Sequence, residues 1–546
     1  MRSFCSTAGF PSARRRPLLV GLLGLLVAVT LPLSARTFTN PVVPGFYADP
    51  SICRVGDDYY LVTSSFEYFP GVPILHSRDL VHWRKLGHVL TRRSQLNVEK
   101  MRASMGIFAP TLRHHDGVFY LITTLVGGRG NFYVTATNAA GPWSDPVWLD
   151  ADGIDPSLFF DDDGQVYYTR QADGERGYTA QRRLNLQTGK LEGPLRELWR
   201  GTGGIWPEGP HLYKVDGRYY LMISEGGTSY DHAITVARSD SPWGPFEANP
   251  RNPILTHRHL PDHPFQALGH GDLVETPAGW WVVFLGFRPQ GGRYHHLGRE
   301  TFLAPVTWED GWPVINGGQP LPATLPAPNL PPHPWPPEPV REDFTARTLG
   351  VHWNHVRNPV ETNYSLTARP GWLRLRGSAV TLNDVDTPTF VGRRQTALRC
   401  RAATRLDFRP RATNEAAGLV LRANDHNYAA LVVTLREGRR HIGLRTVLDG
   451  QVSSPEVFTP LPDGPVELRV RAEPLRYEFF WRAGNGPERA LGSLPTRALA
   501  TETLNRQKHV GFNFTGVFFG LFATGNGQAS RTPADFDWFD YEILEP

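Results

Sequence analysis

Cysteine and methionine are scarce: of 546 residues, three are Cys and four are Met. Cys53 and Cys400 are the only cysteines beyond the first few residues, and they stand far apart. No cysteines show metal-ligand spacing, and two distant ones make no disulfide framework, so both read as buried thiols. An excess of charge is missing too. The formal net charge of +4 comes from Arg2, Arg14, Arg15 and Arg16, in a stretch without acids, and the remaining chain is neutral. A nucleic-acid or other polyanion partner therefore has no electrostatic basis. Long apolar runs are absent except for Leu18 to Leu31, short of the roughly 20 residues that cross a bilayer. Arg14–Arg16 precede that run and Ser34-Ala35 follow it, the layout of a cleavable export signal over 1–35. Arg15-Arg16 also suits a twin-arginine signal. The expectation is a secreted or periplasmic protein with no membrane segment after cleavage.

What the chain has in quantity is glycine (54), proline (48) and aromatic residues (11%), a composition that favours turn-rich β structure over helices. Five short motifs recur: Ala48-Asp49-Pro50-Ser51, Phe108-Ala109-Pro110-Thr111, Ile154-Asp155-Pro156-Ser157, Pro207-Glu208-Gly209-Pro210 and Gly269-His270-Gly271-Asp272. Each is followed by a turn and an aromatic strand such as Tyr59-Tyr60-Leu61-Val62 or Tyr219-Tyr220-Leu221-Met222. A repeat of ~40–60 residues built from short strands predicts a β-propeller, here five-bladed, over 36–318. The recurrent Pro-Trp at the blade ends (Pro142-Trp143, Pro242-Trp243) reads as blade packing. Residues 319–339 are proline-rich, and the expectation is a semi-rigid connector unable to join a sheet. From 340 to 546 strictly alternating segments, Trp372–Arg376 and Val466–Arg471 among them, predict a two-sheet β-sandwich.

In a propeller the first strands line one axis, so Asp49, Asp155 and Glu208, taken as repeat-equivalent, converge on one funnel. Paired carboxylates across a pocket are the equipment for cleaving a glycosidic bond: one protonates the leaving oxygen, the other attacks or activates water. Asp57-Asp58 and Asp161–Asp163 fall at turns and read as solvated.

The motif set resembles the family 43 glycoside hydrolases, specifically β-xylosidases and α-L-arabinofuranosidases with a C-terminal concanavalin A-like domain. The resemblance is carried by Pro44–Ser51, Ser64–Val72, Gly153–Ser157, Trp206–His211, Gly269–Val274 and Leu297–Phe302. It implies an exo-acting, inverting enzyme that releases terminal β-D-xylose or α-L-arabinofuranose from an oligosaccharide and requires no cofactor. Asp49 matches the family's general base, Glu208 its general acid, and Asp155 the third acid that orients Glu208 and raises its pKa. Inversion needs room for water, an Asp49–Glu208 separation of ~6.5–9.5 Å. Phe66 and Phe108 match pocket aromatics, Arg299 an arginine that hydrogen-bonds sugar hydroxyls, and His270 a histidine near the pocket floor. Phe514 matches a loop of the second domain that closes over the pocket. Phe108 stands where xylosidases often carry tryptophan, which leaves xylose or arabinose open. Asp343 and Asp537 flank the second domain, where a structural calcium is possible, but they read as surface acids and no metal site is predicted. Two rivals are weighed. A fructoside-cleaving propeller would carry Asn-Asp-Pro-Asn and Arg-Asp-Pro, which are absent. A non-catalytic carbohydrate-binding propeller has no use for three intact acids.

Overall fold

The computed structural model describes residues 36–452 and 456–544; the expected export signal lies outside the described residues. Each repeat motif leads into the first strand of an antiparallel sheet, and each aromatic segment is that sheet's second strand. The first strands are Ser51–Val55, Thr111–His115, Ile154–Phe160, Glu208–Val215 and Gln266–Thr276. They touch in a closed ring, the fifth meeting the first, so the five sheets are the blades of a propeller. Tight turns make the blades. Asp116 and Gly117 (φ 48° and 76°) and Asp216 and Gly217 (φ 50° and 80°) take the paired left-handed conformation that a two-residue hairpin turn needs.

Aromatic side chains hold neighbouring blades together. Tyr60 of blade one meets Phe119 of blade two edge-on at 5.2 Å, Trp243 of blade four meets Tyr167 of blade three at 5.3 Å, and Trp308 of blade five meets Tyr220 of blade four at 4.9 Å. The axis is plugged. Asp272, fully buried on blade five, accepts bonds from Arg113 (2.8 and 3.1 Å), Ser51 Oγ (2.6 Å) and Tyr213 OH (2.6 Å). Burial opposes the charge on Asp272, but Arg113 and these donors outweigh it and hold the carboxyl far below its usual range. Blades one, two, four and five are thus tied at one atom group.

The proline-rich segment departs from expectation. Thr324–Pro326 pairs with Thr37–Thr39 as a two-stranded sheet, and His333 N donates to Asp79 Oδ2 at 2.6 Å. Trp335 lies beneath the Arg84 guanidinium at 3.9 Å. A short edge pairing needs only alternate N–H groups, so one proline at its end is tolerated.

Beyond it two antiparallel sheets face each other across one apolar core that includes Leu373, Leu406, Leu419, Phe479, Phe519 and Phe536. This is the predicted sandwich. It does not hang free: Tyr68–Phe69 of blade one pairs with His355–Val356, and a second cluster mixes Phe46, Phe66 and Tyr68 with Val356, Phe390 and Phe518. Gly516 sits against the propeller backbone, where a Cβ would come within 2.1 Å of Leu297 O. Cys53 and Cys400 are both buried, one in each body.

Candidate active site

The residues at the mouth of each first strand set the site. Strand register aligns Ser51, Thr111, Ser157, His211 and Asp272, which face Val62, Ile122, Thr169, Met222 and Val283 of their second strands. Two residues earlier stand Asp49, Ala109, Asp155, Gly209 and His270. Four of these share the left-handed conformation: Asp49 (φ 55°), Asp155 (52°), Gly209 (58°) and His270 (50°). The expected equivalence of the three acids is therefore only partly right. Asp49 and Asp155 correspond, but their counterpart in blade four is Gly209, and Glu208 lies one residue before it. Glycine is required there for a second reason, because a Cβ on Gly209 would fall 2.9 Å from His270 Cε1. Three non-glycine residues in this conformation store backbone strain, of order 1–2 kcal/mol each.

All eight residues singled out in the sequence line one small pocket: Asp49, Phe66, Phe108, Asp155, Glu208, His270, Arg299 and Phe514. Arg299 Nη1 donates to Asp49 Oδ1 at 2.8 Å and Nη2 to Oδ2 at 3.3 Å. This guanidinium, expected to reach for sugar hydroxyls, grips Asp49, and Thr228 Oγ1 accepts a further bond from Nη1 at 2.8 Å. Glu300 next to it is taken by Arg288 at 2.8 and 2.9 Å. Ser64 Oγ donates to Asp49 Oδ2 from another side. The base candidate is thus oriented from two sides. His270 Nδ1 stands 3.9 Å from Asp49 Oδ1.

Asp155 Oδ2 accepts the Gly209 N–H at 3.2 Å, which ties it to the residue following Glu208. Burial pushes the Asp155 carboxyl up to about 6, with His270 pulling the other way and Asp49 adding to the rise. Glu208 is raised well above its ordinary range, by burial first and then by the charges of Asp155 and Asp49. His232 Nε2 lies 4.0 Å from Glu208 Oε1. This is no ion pair, since burial holds the imidazole down at about 3. With Nδ1 3.2 Å from the acceptor-only Ala267 O, the neutral ring presents an unprotonated Nε2 to Glu208.

The aromatic wall is continuous. Phe66 meets Phe108 at 5.2 Å and Phe514 at 5.6 Å, and the Arg299 guanidinium lies 5.2 Å over Phe514. Phe514 comes from the sandwich and is held by its N–H donating to Ser104 Oγ at 2.9 Å. Sequence reasoning missed Thr228 and His232, which no motif marks, and Ser64, which lay inside a quoted motif without a role. Asp343 bonds Thr345 at 2.8 Å and Asp537 pairs with Arg405 at 3.1 Å.

A carboxyl raised well above its usual range, a second one clamped by an arginine in the same pocket and an aromatic wall suit glycoside cleavage, and comparison with known proteins points the same way. The model of the glycosyl hydrolases family 43 matches residues 38–313, and that of the beta xylosidase C-terminal concanavalin A-like domain matches 341–542. A non-reducing end alpha-L-arabinofuranosidase of Bacteroides ovatus is 47% identical over 97% of this chain and 99% of its own. A beta-xylosidase of Bacillus subtilis is 36% identical over 92% and 99%. The crystal structure of a xylan beta-1,4-xylosidase from Bacillus halodurans superposes with a TM-score of 0.88 at 40% identity, covering 92% of this chain and 100% of that one. With its propeller and its sandwich both matched and in the same order, the chain belongs to family 43 of the glycosyl hydrolases.

Proposed function

We propose that the protein removes terminal pentoses, β-D-xylose or α-L-arabinofuranose, from the non-reducing ends of xylo- or arabinoxylo-oligosaccharides, in one inverting step. Asp49 takes a proton from the water that attacks the anomeric carbon, while Glu208 gives its proton to the departing glycosidic oxygen. Asp155 acts on Glu208 through its charge, and Arg299 and Ser64 fix the direction of the Asp49 oxygens. Phe66, Phe108 and Phe514 offer an apolar surface to the sugar ring, and His270 packs the floor.

The observation that carries this reading is a pair of carboxyls in one pocket with different surroundings, Glu208 raised well above its normal range and Asp49 gripped by Arg299 at 2.8 Å. Exo action is supported by Phe514, which walls the pocket from the second domain. The names of the relatives, xylosidases and an arabinofuranosidase, support a pentose. Export is proposed from Arg14–Arg16 and the apolar run after them.

Product analysis on xylobiose and on arabinose-decorated xylo-oligosaccharides tests it. Single pentoses should appear from the first minutes, with the opposite anomer to the substrate by proton NMR. Release of longer fragments, or retention of configuration, would overturn the exo or the inverting assignment respectively.

A further inference from the structure

The small pocket opens into a cleft of about 760 Å³ that both domains line. Its features follow from the loop that carries Glu208. Trp206 stands two residues before that acid, in the left-handed conformation (φ 52°). Its indole lies against Gly227, where a Cβ would fall 2.9 Å from the ring. Only a residue without a side chain lets the ring lie so close to the backbone. Thr228, the partner of Arg299, comes next in the chain. One face of the indole is thus packed while the residue as a whole stays 49% exposed. Across the cleft Phe512 of the sandwich is 61% exposed and stacks on Phe514 at 5.8 Å, with the two rings 3° from parallel.

A general acid must stand beside the leaving oxygen, so the departing part of the substrate lies on the Glu208 side. There the chain provides two aromatic faces from two domains, held by the same loops that hold the acid and the terminal-sugar wall. The cleft is also poor in available cations. Asp152, Asp173, Asp231 and Glu502 line it besides Glu208. Its lining arginine, Arg299, is already engaged by Asp49, and His295 sits with Glu502 at 2.7 Å. Of the acids, Asp152 is itself paired with Arg170, which leaves Asp173 and Asp231 to set the sign of the wall.

We infer that this cleft is a leaving-group site for at least two uncharged sugar units, with Trp206 and Phe512 as its stacking platforms. The inference rests on the hydrolytic reading above and adds what the enzyme holds beyond the scissile bond. Aromatic faces take the C–H faces of sugar rings, while the acidic wall disfavours a leaving group that carries a carboxylate.

The test compares kcat/KM on a pentosyl fluoride, which has no leaving sugar, with that on the pentose linked to one, two and three neutral sugars. In the wild type the value should rise with each of the first two sugars. Trp206→Ala and Phe512→Ala should each lower the ratio of the two-sugar substrate to the fluoride by about tenfold, the scale of one lost aromatic contact, and Trp206→Phe should restore most of it. An equal loss on fluoride and oligosaccharide would make Trp206 a support for Glu208 and overturn the proposal. A ratio unchanged in both variants, with a wild type active on both substrates, would overturn it while leaving the hydrolytic reading intact. A wild type inactive on every substrate would sink that reading and the proposal together. A uronic acid in place of the first leaving sugar should slow cleavage, the gap narrowing with salt; equal rates would overturn the neutral-sugar assignment.

Discussion

Glu208 and Asp155 divide one task between them. A lone buried carboxyl would already resist ionisation, and the Asp155 and Asp49 charges add to that resistance and help Glu208 keep its proton. An acid that must be protonated loses activity as pH rises through its pKa, so Glu208, in its proposed role, should set the alkaline limb of the rate profile. Replacing Asp155 by Asn removes a negative charge beside it. The alkaline limb of kcat/KM should then move to lower pH, by about one unit, in a variant that folds normally. A limb that stays in place or moves up would show that Asp155 does not act through charge. Glu208→Gln should abolish cleavage of unactivated xylosides while its circular dichroism stays that of the wild type. Full activity in that variant would remove Glu208 from the chemistry.

At the scale of the element, the lesson lies in the first strands. Their repeat was legible because each is followed by a turn and an aromatic strand whose residues must be buried between blades, which stamps the same pattern on the chain five times. The register was less legible. Asp-Pro-Ser recurs in blades one and three, whereas blade four reads Glu-Gly-Pro, and matching the prolines puts Gly209, not Glu208, opposite the two aspartates. The sequence held that signal; matching acid to acid hid it. Thr228 and His232 were invisible for another reason. They lie in the loop between the second and third strands of blade four, and the packing of blade five beside it brings Thr228 to Arg299, while the fold of blade four itself sets His232 near Glu208. Likewise, the Arg299–Asp49 contact spans 250 positions, and no local pattern encodes it. Gly209→Ala tests the register directly. A Cβ in the left-handed region costs about 1–2 kcal/mol, and here it would also meet His270 at 2.9 Å. The variant should melt several degrees lower and lose activity out of proportion, since the displaced turn carries Glu208. Wild-type activity in Gly209→Ala would mean that the turn does not position the acid.

Across the whole molecule the two domains share one buried electrostatic network just behind the pocket. Arg357 and Arg422 of the sandwich, both fully buried, converge on Asp425 at 2.6 and 2.7 Å, and Arg422 reaches Tyr68 OH of blade one at 3.1 Å. Glu67, between Phe66 and Tyr68, joins it from the propeller. Its backbone O accepts from Arg357 N at 2.9 Å, and its Oε2 accepts from Ser104 N at 2.9 Å, the residue whose hydroxyl holds Phe514. One residue therefore links, through its backbone and its side chain, the domain junction to the sandwich residue that walls the pocket. Burial pushes the Glu67 carboxyl up to about 7, with Arg422 opposing the rise and Asp425 adding to it. In the unfolded chain the same group titrates near 4.5. Between those values the folded protein binds the proton that the unfolded chain has released, so this group's contribution to stability falls as pH rises from 4.5 to 7. The size of the effect is about 3 kcal/mol. Glu67→Gln keeps the shape and an acceptor for Ser104 N but cannot ionise. Urea unfolding followed across that range should therefore show the wild type losing more stability than the variant as pH rises, while parallel profiles would mean that Glu67 is neutral in both states or charged in both.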